Sequence, residues 1–225
     1  MLILALETAN DPGSIALWRD GAVDCRSCPP SGSNSETLLP LAELALRDAG
    51  LAFPDLDAIA FGSGPGSFTG LRVACAVAQG LAMARELPLL AVGSLHAMAA
   101  QSGAGKAIVA LDARMGEVYF ARFDGGELVG EIVVCAPESA PLPADGGWLA
   151  CGNGFAVYPA LRERAAPLVC AWQLERLPNA EAVVRVAAPR LARGERIDPA
   201  QASPLYVRDK VARTVAERLA DGGRA

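Results

Sequence analysis

Histidine is almost missing from this chain: His96 is the single one in 225 residues. Neither HExxH nor HxxxH can be written, so a zinc peptidase has no ligand set, and a Ser-His-Asp triad has no suitable base. An excess of positive charge is missing too. Twenty Lys and Arg stand against 25 Asp and Glu, a net charge of -5. A protein that grips RNA alone carries a basic field, so any nucleic-acid contact is expected to come through a partner. No long apolar run exists. Residues 1–6 lack a basic lead and stop at Glu7, too short for an export signal or a membrane span. Cys25 and Cys28 form the one CxxC among six cysteines and run straight into Pro29-Pro30. Without a second pair, the reading is reduced thiols in a cytosolic protein.

What is present is a core. Hydrophobic residues make up 52% of the chain and charged ones 20%, which suits one large domain or two small lobes. Strands are expected at 2–7, 14–18 and 22–28, with turns at Asn10-Asp11-Pro12-Gly13 and Asp20-Gly21. Ser35 caps an expected helix at 36–49, and strand 57–61 leads through a glycine-rich turn into helix 69–86. Strand 88–92 follows, then a helix from Ser94 to about residue 101, with His96 in a packing or capping role. The pattern then restarts. Residues 107–113 (AIVALDA) echo residues 2–8 (LILALET), and the following strands, 14–18 and 117–123, both end in Asp-Gly. A third strand is expected at 127–134, a strand at 148–151, a short helix at 155–164 broken at Pro159, a helix at 180–193 and a last one at 209–219. The expected fold is α/β, a duplicated actin-like (ribonuclease H-like) architecture whose two lobes each open with a three-strand meander. The lobes are residues 1–103 and 104–220, with a disordered tail at 221–225.

The segment Gly64-Pro65-Gly66-Ser67-Phe68-Thr69-Gly70-Leu71-Arg72 stands out. Its glycines and hydroxyls fit either an anion at a helix start or a plain capped turn. It is not a Walker loop, because no lysine follows. In the helix beyond, Val73, Ala74, Val77, Leu81 and Ala84 are expected to face the sheet. Arg72, Cys75, Ala76, Gln79 and Met83 face outward, and Gly80 allows close approach. On the first helix Leu39 and Leu46 flank a stripe of Leu38, Ala42, Ala45 and Ala49. These weakly polar faces suggest a protein interface over Leu39, Leu46, Arg72, Cys75, Ala76, Gln79, Gly80 and Met83, with cover from the second lobe as the alternative. Glu7, with Thr8 after it, and Asp112 end their strands where an actin-like ATPase keeps metal-binding carboxylates. Phosphate-wrapping glycines do not follow them, so they are expected to face solvent or pair with arginine. No catalytic residue and no metal ligand is assigned.

The 64–72 segment resembles the signature of the TsaB family. Further matches are Ser35-Glu36-Thr37-Leu38-Leu39-Pro40, Ala78-Gln79-Gly80-Leu81-Ala82, the segment LDARMGEVY at 111–119, and Pro204-Leu205-Tyr206-Val207-Arg208. Asn34 stands where the family often has His, and Glu7 where it often has Asp. The resemblance implies a cytoplasmic, non-catalytic scaffold that binds the catalytic paralogue TsaD through its N-terminal lobe and works with the ATPase TsaE. Together they place threonylcarbamoyl on an adenosine beside the anticodon of tRNA. It implies that tRNA is reached only through the complex, that ATP and metal belong to the partner subunits, and that the chain alone forms a homodimer through the same helices. A stand-alone actin-like nucleotide-binding protein or ATPase is the alternative.

Overall fold

The structure, a computed structural model, describes residues 1–208; the helix expected at 209–219 and the tail at 221–225 lie outside them. The first sheet is built from β1 (Leu2–Glu7), β2 (Ser14–Arg19), β3 (Ala22–Ser27), β4 (Ala58–Gly64) and β5 (Leu89–Gly93), in the order β3-β2-β1-β4-β5. β1 runs antiparallel to β2 and parallel to β4. All six residues of β1 are buried, as a continuous apolar run between two covered faces requires.

The second sheet repeats this plan. It contains β6 (Lys106–Asp112), β7 (Val118–Asp124), β8 (Glu127–Leu128), β9 (Val133–Cys135), β10 (Trp148–Cys151) and β11 (Val169–Gln173), in the order β11-β10-β6-β7-β8, with β9 also on β7. β6 is antiparallel to β7 and parallel to β10, as β1 is to β2 and β4. The echo of residues 2–8 in 107–113 is therefore a true equivalence of central strands. One strand was expected at 127–134, but Gly130 at φ +81° breaks it into β8 and β9.

The helices are α1 (Asn34–Asp48), α2 (Phe68–Arg85), α3 (Ser94–Ser102), α4 (Gly154–Val157), α5 (Pro159–Ala165) and α6 (Ala180–Ala192). α1 begins two residues earlier than expected. Ser33, not Ser35, is the cap: its amide donates to the Glu36 carboxylate at 3.1 Å and the Glu36 amide donates to Ser33 O at 3.0 Å, which satisfies two otherwise orphaned donors. Covering helices cross over between the sheets. Leu95, Met98 and Ala99 of α3 pack into the core of the second sheet, while Val183, Val184 and Ala187 of α6 pack on the first. Ser14 Oγ accepts the Ala180 amide at 2.9 Å at the start of α6. His96 stacks on Phe123 at 5.4 Å, tying α3 to β7.

α2 is turned relative to expectation. Its buried residues are Gly70, Leu71, Ala74, Cys75, Ala78 and Ala82, while Ala84 is exposed. The buried stripe is displaced by about one residue, roughly 100°. Cys75 is thus in the core rather than on the outer face. Leu46 of α1 is likewise buried and Ala49 exposed. Apolar residues almost all round α2, and a wide apolar arc on α1, leave their rotation to tertiary contacts rather than to pattern. Among the six cysteines Cys28, Cys75 and Cys151 are buried, Cys25 and Cys170 exposed, and all are free thiols.

Candidate functional site

The carboxyl ends of β1, β4 and β6 meet at a cleft of about 430 Å³ between the two sheets. Glu7 and Asp112 stand at equivalent strand ends there; Glu7 is withdrawn from the cleft, whereas Asp112 lines it with both oxygens already engaged. Glu7 was expected to face solvent or an arginine; it is buried instead, accepting the Ala9 amide at 2.7 Å and the Ser94 hydroxyl at 2.9 Å. Ser94 therefore serves Glu7, and the residue preceding α3 is Gly93. The Glu7 side chain lies across Gly62, where a Cβ would come within 2.0 Å of its carboxylate. Asp112 accepts the Tyr158 hydroxyl at 2.7 Å and the Arg114 amide at 2.9 Å, and its second oxygen is 3.4 Å from the Arg114 guanidinium. Burial, and then the bond to Asp112, push the Tyr158 phenol up to about 12.

The loop after Glu7 is clamped to the start of α2. Thr8 is fully buried and donates to Gly70 O at 2.6 Å, while the Ser67 amide donates to Ala9 O at 2.7 Å. Gly66 and Gly70 exist for this contact. A Cβ on Gly66 would lie 2.5 Å from Ala9 Cβ, and one on Gly70 only 1.8 Å from Thr8 O. Ser67 caps α2, accepting the Gly70 amide at 3.4 Å. The glycines of the 64–72 segment thus bring chain against chain, and Ser67 caps the helix that follows. Gly64 has φ +108° and Pro65 follows it through a cis bond.

Phe68, Thr69, Arg72, Ala76, Gly80 and Met83 are exposed, and their spacing puts them along one side of α2. Between Arg72 and Met83 this stripe carries no charge. Gln79 is half-buried and donates to Pro199 O at 2.7 Å, so it is tied to the 3-10 turn Pro199–Gln201. On α1, Leu39 and Leu44 are exposed apolar residues. Of the eight expected interface residues, Leu39, Arg72, Ala76, Gly80 and Met83 share the outside, Gln79 lies at its margin, and Leu46 and Cys75 do not reach it.

Sequence reasoning missed three contributors. Tyr158 and Asn153 hold Asp112 from 46 and 41 residues away, and no local signal marks them. Tyr206 accepts a hydrogen bond from Arg72 Nε at 2.9 Å, with the guanidinium 3.6 Å over the Phe68 ring. The Pro204-Leu205-Tyr206-Val207-Arg208 match was the available clue, without a role attached.

Desolvation raises the Glu7 pKa, against opposing bonds from Ala9 and Ser94. The folded protein therefore holds this proton more tightly than the unfolded chain. The Glu7 contribution to stability is complete below the ordinary glutamate range and is lost as pH rises through the raised folded value. Thermal melts should show Glu7→Gln gaining on the native chain as pH climbs from 4 to 8. A difference in Tm that does not move with pH would show that Glu7 ionises without cost.

Among the described residues no helix is long and apolar enough to cross a membrane, and no group of three or more His, Cys, Asp or Glu could hold a metal. Residues 31–214 match the family model "TsaD: tRNA N6-adenosine threonylcarbamoyltransferase". The chain is 35% identical to the tRNA threonylcarbamoyladenosine biosynthesis protein TsaB of Escherichia coli, over 94% of this chain and 96% of that one. It is 33% identical to the TsaB protein of Haemophilus influenzae, over 94% and 95%. A crystal structure described as an uncharacterized protein with similarity to peptidase YEAZ from Pseudomonas aeruginosa superposes with a TM-score of 0.82 at 36% identity, covering 92% of this chain and 99% of that one. The duplicated sheets, the clamped glycine segment and these likenesses agree: the chain belongs to the TsaB family.

Proposed function

We infer that this chain is the non-catalytic scaffold of a machinery that forms N6-threonylcarbamoyladenosine beside the anticodon of tRNA. It binds and supports a TsaD-type catalytic paralogue, with a TsaE-type ATPase as a further partner. The observation that carries this reading is the engagement of both strand-end carboxylates inside the chain. Glu7 is buried under Ala9 and Ser94, and Asp112 is held by Tyr158 and Arg114. A carboxylate that must hold a hydrated metal beside a nucleotide needs an open side, and reopening Glu7 would mean dismantling the clamp on α2. ATP and metal then belong to the partner subunits, and tRNA is reached through the assembly, in keeping with a net charge of -5. The uncharged stripe on α2 is the surface for that partner, and for a second copy of this chain when the partner is absent. The setting is the cytoplasm.

Pure chain incubated with ATP and magnesium should show no turnover above that of Glu7→Ala. Mixed with the catalytic paralogue, it should form a stable complex, and depleting it from cells should remove threonylcarbamoyladenosine from digested tRNA. Steady ATP turnover abolished by Glu7→Ala would instead favour a stand-alone actin-like ATPase.

A further inference from the structure

Residues 202–208 have no regular secondary structure, yet they connect the loop ends of both sheets. On the first sheet, the Leu205 amide donates to Ser63 O, near the end of β4, at 2.7 Å. On α2, Arg72 reaches the Tyr206 hydroxyl, and Phe68 and Tyr206 lie 5.9 Å apart, centre to centre. On the second sheet, Arg208 donates to Ala113 O at 3.1 Å and pairs with Glu117, on either side of the tight turn at 114–116. The same guanidinium lies 3.7 Å from the Met115 sulfur. Seven residues thus bridge the mouth of the cleft from one sheet to the other.

The bridge is weakly built. Leu205 and Tyr206 are 41% and 46% exposed. One backbone hydrogen bond ties the segment to β4, and the side-chain bonds lie at exposed or half-buried positions, where water competes for each of them. Segments of this kind open locally long before the whole molecule unfolds. Arg72 places the same weak bridge in contact with α2: its guanidinium sits on Phe68 and against Tyr206, and both Arg72 and Phe68 lie on the outer side of α2, at the N-terminal end of the uncharged stripe.

We propose that residues 202–208 are a latch between the two sheets, and that docking of a protein partner on the α2 stripe is coupled to this latch through the Phe68–Arg72–Tyr206 stack. The coupling rests on the partner-binding reading above; the latch does not. A partner that covers Phe68 and Arg72 must either bind the stack as it stands or break it. In either case its contacts differ between latched and unlatched forms, which is what shifts an equilibrium between them. The linkage is reciprocal, so releasing the latch from its far end must change partner affinity by the same factor.

Two substitutions test this, one at the far end of the latch and one in the stack, and neither replaces a residue of α2. Glu117→Gln removes the charge that holds Arg208 on the second sheet. Tyr206→Phe keeps the ring and removes only the oxygen that Arg72 reaches. Hydrogen exchange on the free chain should show the Leu205 amide exchanging about five-fold or more faster in each variant, with Tm nearly unchanged. Affinity for the catalytic paralogue should shift by about five-fold or more. Adding that paralogue to the native chain should alter exchange at Leu205 and around the turn at 114–116. Unchanged Leu205 exchange in both free variants would overturn the latch. Faster exchange with unchanged partner affinity would overturn the coupling. Failure of the native chain to bind the paralogue at all would overturn the partner reading and the coupling with it, while the free-chain exchange would still decide the latch.

Discussion

Gly70→Ala should be among the most damaging single methyl groups that can be added to this protein. The new Cβ would be placed 1.8 Å from the carbonyl oxygen of Thr8, and the obstacle is backbone rather than the end of a flexible side chain. Relief requires moving the loop at residues 8–10 or the first turn of α2. Either movement stretches the Thr8 to Gly70 bond and the Ser67 to Ala9 bond, now 2.6 and 2.7 Å. Each is worth about 1 kcal/mol net, and forced overpacking costs about 1–3 kcal/mol more. A loss of about 3–5 kcal/mol is a large share of the roughly 5–15 kcal/mol that holds an ordinary domain together. In a chain of this size it should lower Tm by about 6–20 °C. Gly80 is the internal comparison. It lies in the middle of the same helix with open space where a Cβ would go. Gly80→Ala should raise stability by about 0.5–1 kcal/mol, because alanine is the better helix former. Equal melting points for Gly70→Ala and the native chain would mean that the clamp between the β1–β2 loop and α2 is not tight in solution.

This clamp also marks the boundary between what the sequence discloses and what it withholds. The duplication was legible because residues 2–8 and 107–113 are continuous apolar strands ending in a carboxylate, a local feature that repeats. The fifth strand of the second sheet was not. β11 (Val169–Gln173) lies at an edge with Cys170 and Ala171 exposed and no residue fully buried, so it lacks the run that marked its counterpart β5. The phase of α2 was illegible for the opposite reason. Alanine, valine, cysteine and leucine surround the helix, and rotating it by one residue changes the pattern little. What fixes the rotation is Gly70 pressed on Thr8, a contact 62 residues apart in the chain. The glycines of the 64–72 segment announced a close approach, but not that the approaching group was this protein's own backbone. The carboxylates at strand ends were legible as positions, whereas their partners Ser94 and Tyr158, and Asn153 that accepts the Asp112 amide, come from distant segments.

Ala76→Arg should then separate folding from function. Ala76 is exposed on α2, four residues from Arg72 and from Gly80, so a long side chain meets solvent in the free chain. The variant should melt within about 1 °C of the native protein, since surface changes of this kind usually stay within about 0.5 kcal/mol. In a complex built on this stripe the position is central. A specific interface buries on the order of 1,600 Å² in total, with its centre dry and depleted of charge. Stranding an unpaired guanidinium there costs about 3 kcal/mol or more, which is roughly a hundred-fold loss in affinity. Binding to the catalytic paralogue and self-association should both fall by that factor, and threonylcarbamoyladenosine in tRNA should fall with them although no reacting group was touched. Gly80→Ala, which adds one methyl to the same stripe and stabilises the helix, should weaken binding far less. Glu163→Arg on α5, exposed on the second-sheet side, changes the net charge in the same direction, by two charges rather than one, away from the stripe and should leave binding intact. If Ala76→Arg binds the paralogue as tightly as the native chain, the partner docks elsewhere, and the uncharged stripe on α2 needs another explanation. If both Ala76→Arg and Glu163→Arg abolish binding, the loss reflects net charge rather than place, and its dependence on salt should reveal it.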